Sequence, residues 1–220
     1  MKIFQKIPFC ILFFSVTVKA QEPILKPQIT PVPVEIFTGN NYMNMQMVIA
    51  KQFSEKSKWG VFNLTNITGD YKNRLTNNEF STQALLNYRL FNGFSLATGV
   101  GMNHISGFRK VVGLQYIYAN KKWLFITVPT IDLNDSHSIL SINSLEFKPQ
   151  LTPKLRLYTR LQGVYVYNPT EAYHERSILA IRAGLSIKNF QFGLGADANW
   201  YGPHKAFKEN LGVFARVQLH

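Results

Sequence analysis

Lys154-Leu-Arg-Leu-Tyr-Thr-Arg-Leu-Gln-Gly-Val-Tyr-Val-Tyr167 alternates apolar with polar or aromatic residues along its length. Successive side chains of a β-strand point to opposite faces, so this stretch has one apolar and one polar side. Ser177-Ile-Leu-Ala-Ile-Arg-Ala-Gly-Leu-Ser-Ile187 and Phe190-Gln-Phe-Gly-Leu-Gly-Ala-Asp-Ala-Asn-Trp200 keep the same period, with only Lys188-Asn189 between them. From Phe80 to His220 one unit recurs: an alternating run of roughly ten residues, a turn, another run. No helical period intervenes. The pattern predicts an all-β fold, a closed antiparallel up-and-down transmembrane β-barrel of about 12 strands, with 10 as the alternative count.

Working outward, strands are expected near 34–39, 43–53, 59–70, 80–90, 94–105, 108–118, 123–132, 139–149, 154–166, 177–187, 190–201 and 211–219. Short connections (Phe91-Asn92-Gly93, Asn120-Lys121-Lys122, Thr152-Pro153, Lys188-Asn189) carry the Asn, Gly and Pro that tight reversals need. They alternate with longer ones at 72–79, 134–137, 168–175 and 202–210, while Ser106-Gly107 is short where a long loop is due. Short turns at one end, longer loops at the other and an even strand count suit a meander with both termini on the short-turn side. Aromatic residues cluster near strand ends: Tyr88, Phe94, Tyr116, Trp123 and Phe190 toward the short turns, Tyr165, Tyr167 and Trp200 toward the long loops. Such rings form girdles at the two membrane interfaces.

The start of the chain reads as an address. A basic Met1-Lys2-Ile-Phe-Gln-Lys6, an apolar Ile7 to Val18 and Val18-Lys19-Ala20 have the form of a signal peptide over residues 1–20, with cleavage expected before Gln21. Residues 21–33, with Pro23, Pro27, Pro31 and Pro33, read as an extended periplasmic lead-in, and residues 34–220 as the barrel. The lone Cys10 falls in the signal, so a processed chain has no disulfide or thiolate metal site. Leaving out Lys2, Lys6 and Lys19, the 24 basic and 12 acidic residues give a formal charge of +9. An exported address argues against nucleic acid and for anionic lipid or small anionic solutes as partners.

Taken together, the signal, the 80–219 meander and the last strand Leu211-Gly-Val-Phe-Ala-Arg-Val-Gln-Leu219 resemble those of small, porin-like bacterial outer-membrane β-barrels. That resemblance implies residence in the outer membrane, contact with its lipid and insertion by the barrel-assembly machinery. The ending Leu219-His220 departs from the terminal aromatic residue usual in such proteins.

Parity assigns the faces. With Leu155, Leu157, Leu161, Leu179, Ile181, Leu185, Phe192 and Leu194 toward lipid, the lumen receives Arg89, Lys148, Arg156, Tyr158, Arg160, Gln162, Arg182, Gln191, Asp197, Asn199 and Arg216, with Gln83, Asn87 and Glu146. Inward cations then face only two carboxylates, Glu146 and Asp197, and the lumen is expected to favour anions if open. Alternatively Arg, Tyr and Gln fill a narrow barrel as a hydrogen-bonded plug. A passive conduit or a structural or surface element, without enzymatic activity, cofactor or metal, is the leading reading.

Two other classes remain open. His104 and Ser106 lie two apart at the loop-side rim and face outward, loosely resembling the arrangement in outer-membrane lipid A deacylases and phospholipases, where a histidine activates a serine; no third, orienting acid is identifiable. His137, His174 and His204, with Asp135, Glu171 and Glu175, fall in long-class loops, where solvated side chains are expected rather than a metal cage. A secreted, soluble, ligand-binding barrel requires the opposite parity, polar outside and apolar inside.

Overall fold

The structure, a computed structural model, describes residues 31–72, 74 and 77–220; the expected signal peptide and most of the lead-in lie outside the described residues. In chain order the strands are β1 (Val32–Gly39), β2 (Tyr42–Gln52), β3 (Trp59–Asp70), β4 (Glu79–Phe91), β5 (Phe94–Asn103), β6 (Gly107–Ala119), β7 (Trp123–Asp132), β8 (Ile139–Phe147), β9 (Gln150–Thr152), β10 (Leu155–Asn168), β11 (Tyr173–Ile187), β12 (Phe190–Tyr201) and β13 (Ala206–Leu219).

Twelve of them form a ring. Strands β1 to β8 pair consecutively, β8 pairs with β10, β10 to β13 pair consecutively, and β13 returns antiparallel to β1 from Val32↔Leu219 to Gly39↔Gly212. Closure removes the edges that an open sheet would present, so backbone groups are satisfied within the wall. The short β9 lies outside the ring and pairs only with the first residues of β10. Pro149, lacking an N–H, interrupts the ladder just after β8.

Each of the twelve expected strands is present, but several are longer than the alternation suggested. Strand β11 begins at Tyr173 and β13 at Ala206, so the expected loops 168–175 and 202–210 shrink to 169–172 and 202–205. Ala172, Gly202 and Lys205 adopt positive φ (54°, 67° and 51°), which lets the chain reverse tightly there. At the opposite end the 53–58 connection is longer than the Asn40-Asn41 link between β1 and β2, so the two ends differ less in loop length than expected. Asn92 and Gly93, both at positive φ, make the two-residue turn expected between β4 and β5.

The leucine-rich parity faces outward. Leu161, Leu179, Ile181 and Phe192 are exposed on the outer wall, and Leu194 is 70% exposed. Aromatic rings line the short-turn end of this surface, where Trp59 meets Tyr88 (4.9 Å), Phe94 meets Tyr116 (4.5 Å) and Trp123 meets Phe147 (4.3 Å). Trp200 and Phe207 pair toward the other end. Polar residues of the outward parity satisfy each other: Asn63 Nδ2 donates to Thr82 Oγ1 (3.0 Å), Thr65 Oγ1 to Asn63 Oδ1 (3.0 Å), and Thr127 Oγ1 to Asn143 Oδ1 (2.7 Å).

Glycines mark where the wall bends. Gly184 and Gly193 are ladder partners, and a Cβ on either would come within 2.0 Å of Phe192 O or 2.2 Å of Ala183 O. Only residues without side chains allow backbones this close.

Candidate functional site: the barrel interior

Inside the ring, β1, β8 and β10 to β13 carry a web of charge. Arg160 Nη2 donates to Glu35 Oε1 (2.6 Å), and Arg182 reaches the same oxygen through Nε (2.9 Å) and Asp197 Oδ1 through Nη1 (2.6 Å). The Arg182 guanidinium also lies 3.9 Å from the Phe37 ring centroid. Toward the short-turn end, Arg216 Nη1 donates to Glu146 Oε1 (2.6 Å) and meets the Tyr158 hydroxyl, while Lys148 Nζ donates to Glu146 Oε2 (2.8 Å). Strands β1 and β10 are not neighbours in the ring, and neither are β8 and β13, so these bonds pass through the interior between separate strands of one side. Arg176 of β11 reaches Glu79 of β4, on the opposite side of the ring, joined by Tyr201 Oη to Glu79 Oε1 (2.7 Å).

Facing this web, the inner wall of β3 to β8 is largely apolar. Phe62, Leu64, Leu85, Ala97, Val111, Ile126, Val128 and Ile142 form one buried cluster. Polar groups within this half pair among themselves: Gln83 Nε2 donates to Thr130 Oγ1 (3.0 Å) and Asn87 Nδ2 to Gln115 Oε1 (2.7 Å), both between strands that are not adjacent. A cavity of about 50 Å³ lies between the two halves, lined in part by Tyr42, Gln46, Gln162, Arg182, Asp197 and Asn199. Such a polar space has room for a few bridging waters, each needing about 10–15 Å³ of it.

The residues assigned to the lumen by parity occupy different settings. Tyr158, Arg160, Gln162, Arg182, Gln191, Asp197, Asn199 and Arg216 are buried inside the ring. Asn199 Nδ2 donates to Tyr42 Oη (2.8 Å), and Gln191 Oε1 has no partner among the described residues. Arg156 is exposed near the short-turn mouth, and Arg89, near the same end, donates to the Ser57 carbonyl (2.7 Å). Neither forms an ion pair among the described residues.

The expected ratio of charges is corrected. Besides Glu146 and Asp197, the interior holds Glu35, Glu79 and Asp132, paired respectively with Arg160 and Arg182, with Arg176, and with Arg109 (3.7 Å). Glu35 was missed because β1 has a short, Pro-containing alternation, and Glu79 and Asp132 because they end their strands. Their signal was parity: Glu35 and Phe37 alternate with Ile36 and Thr38, and Asp132 continues Ile126, Val128 and Thr130.

At the loop-side rim, His104 and Ser106 are both exposed and share no hydrogen bond. His104 Nδ1 lies 3.4 Å from Phe80 O, and the Ser106 N–H donates to Asn103 Oδ1 (2.6 Å). His174, expected in a solvated loop, is buried instead and belongs to β11. Its Nδ1 lies 2.9 Å from Gly202 O, which only accepts, so Nδ1 donates there, and Nε2 hydrogen-bonds Ser177 Oγ (2.8 Å). The pair braces β11 against the 202–205 turn. No group of three or more His, Cys, Asp or Glu suited to a metal occurs among the described residues.

Ring, apolar outer face and charged interior define a closed antiparallel β-barrel of twelve strands. No protein-family model and no curated protein matches the chain. Among solved structures, the chain is similar to the NanC porin, with 10% identity and a TM-score of 0.47 over 86% of this chain and 100% of that one. It is also similar to the KdgM porin, with 9% identity and a TM-score of 0.45 over 86% and 99%. An outer-membrane OmpT of Vibrio cholerae matches at 9% identity and a TM-score of 0.36 over 82% and 65%.

Proposed function

We propose that this chain is an integral barrel of the bacterial outer membrane that works without catalysis, as a narrow conduit constricted by ion pairs spanning its lumen. Outer-membrane lipid surrounds it, and the barrel-assembly machinery inserts it. The outward leucine and aromatic parity supports a lipid environment, since a soluble ligand-binding barrel needs a polar exterior. The single observation that carries the conduit reading is the bridge from Arg176 of β11 to Glu79 of β4, strands that stand opposite each other in the ring. Arg89 and Arg156, without ion-pair partners near the short-turn mouth, support a preference for small anions among the solutes that pass. The separated, exposed His104 and Ser106 offer no support for an acyl hydrolase.

Planar-bilayer conductance of refolded residues 21–220 tests the reading. Wild type is expected to show small, anion-leaning unitary currents, Glu35→Gln larger ones because Arg160 and Arg182 lose their anchor, and Arg156→Ala a reduced anion preference. Absence of current in every variant leaves a structural or surface element, and a cation preference removes the anion assignment. Sedimentation without detergent tests the membrane placement separately, because monodisperse soluble protein contradicts it.

A further inference from the structure

A groove of about 560 Å³ lies on the outer face of β3 to β6, walled by Trp59, Leu86, Tyr88, Leu96, Thr98 and Val112. Its floor is the backbone at Ala97 and Gly113, two positions of inward parity. A Cβ on Gly113 would come within 2.1 Å of Pro129 O, so the backbones of β6 and β7 approach closely there. Thr98 Oγ1 donates to Val111 O (3.4 Å), which satisfies its hydroxyl within the sheet and leaves its methyl to the groove. The volume falls within the roughly 300–1,000 Å³ of small-molecule sites.

The short-turn end of the groove is different in character. Trp59 and Tyr88 pack edge to face there, and Lys58 Nζ lies 5.8 Å from the Tyr88 ring centroid. Lys58 belongs to the 53–58 turn, which also carries Lys56, and both lysines are exposed. The turn is held in place: Trp59 N donates to Ser57 Oγ (3.0 Å), Arg89 Nη2 to Ser57 O (2.7 Å) and Arg89 N to Lys58 O (2.7 Å). An apolar slot thus ends at an aromatic rim with Lys58 beside it, on a turn whose Glu55, Lys56 and Lys58 leave one net positive charge. This is the charge and polarity profile of one lipid, an acyl chain below and an acidic headgroup above.

We propose that this groove seats an acyl chain of an anionic phospholipid from the short-turn leaflet, with its phosphate held by Lys58. The site rests on the membrane placement proposed above. A second barrel is a poorer occupant, because the positive charge lies at one end of a concave slot instead of alternating with negative along a flat, self-complementary face.

The test is native mass spectrometry of the mature chain in mild detergent, with phosphatidylglycerol and phosphatidylethanolamine supplied as probes. Wild type is expected to retain one phospholipid and to prefer phosphatidylglycerol. Thr98→Trp fills the slot and abolishes retention, while Val213→Trp, on the exposed outer face of β13, leaves it intact. Lys58→Glu is expected to lower the phosphatidylglycerol-to-phosphatidylethanolamine ratio about fivefold or more, on the scale of one interfacial cation. Heat-modifiable gel mobility confirms that each variant is folded. Equal retention by Thr98→Trp and Val213→Trp means an unspecific lipid belt and overturns the site, and equal binding of the two lipids by wild type overturns the role of Lys58. A detergent-requiring barrel that keeps no lipid sinks the groove alone; a barrel stable without detergent sinks the membrane placement first.

Discussion

The two halves of the barrel interior are built from opposite chemistry. Across β3 to β8 the inner wall is a cluster of Phe, Leu, Val and Ile, while β1 and β10 to β13 present Glu35, Arg160, Arg182, Asp197 and Arg216. Apolar packing is tolerant of small shifts, and its partners lie on neighbouring strands of a meander. Each buried ion pair, by contrast, demands one particular partner, and Glu35 meets Arg160 only because the ring closes. The charged half therefore specifies how the barrel closes, and the apolar half supplies packing that does not discriminate between closures.

Substitutions on the two walls separate these roles. The largest effect is expected for Glu35→Ala, which leaves Arg160 and Arg182 without their shared carboxylate and costs about 3–5 kcal/mol. Urea unfolding in detergent micelles, followed by Trp fluorescence, measures it. Replacing Glu35, Arg160, Arg182 and Asp197 together by Leu is expected to recover that loss, because removing a whole buried ionic cluster is often neutral or stabilising. If the fourfold variant stays as unstable as Glu35→Ala, the charged half contributes stability as well as specificity.

On the apolar wall, Leu85→Ala is expected to cost roughly 2–5 kcal/mol by opening a cavity, without changing unitary conductance. A large conductance increase there would erase the distinction between the walls. The outer face is probed next to Arg182: Ile181→Arg, one residue along β11 but facing out, is expected to cost about 2–4 kcal/mol in lipid vesicles. An unaffected unfolding midpoint would put Ile181 in water. The smallest effect is assigned to the rim, where Ser106→Ala is expected to leave the acyl chains of outer-leaflet lipid unchanged by mass spectrometry.

Much of this was legible in the sequence, and the exceptions have physical causes. The outward parity of Leu161, Ile181 and Leu194 follows from a period of two, which any single strand displays. The apolar inner wall was harder to read, because Leu85-Leu86, Val111-Val112 and Leu124-Phe125-Ile126 are apolar on both parities and alternation vanishes there. Such two-sided apolar runs mark strands whose outer face is exposed and apolar and whose inner face packs into the buried cluster. Strand ends were underestimated at His174 and Lys208, since polar residues near a turn look like loop whether or not the ladder continues through them.

By itself the chain determines strand identity, the inward and outward faces and the short turns at Asn92-Gly93 and Lys188-Asn189, because these are consequences of nearest neighbours and local backbone preference. Tertiary structure alone decides which carboxylate answers which arginine, and that the lumen is bridged. Those contacts depend on the tilt and register at which the last strand meets the first, a relation between residues far apart in sequence that no local period encodes.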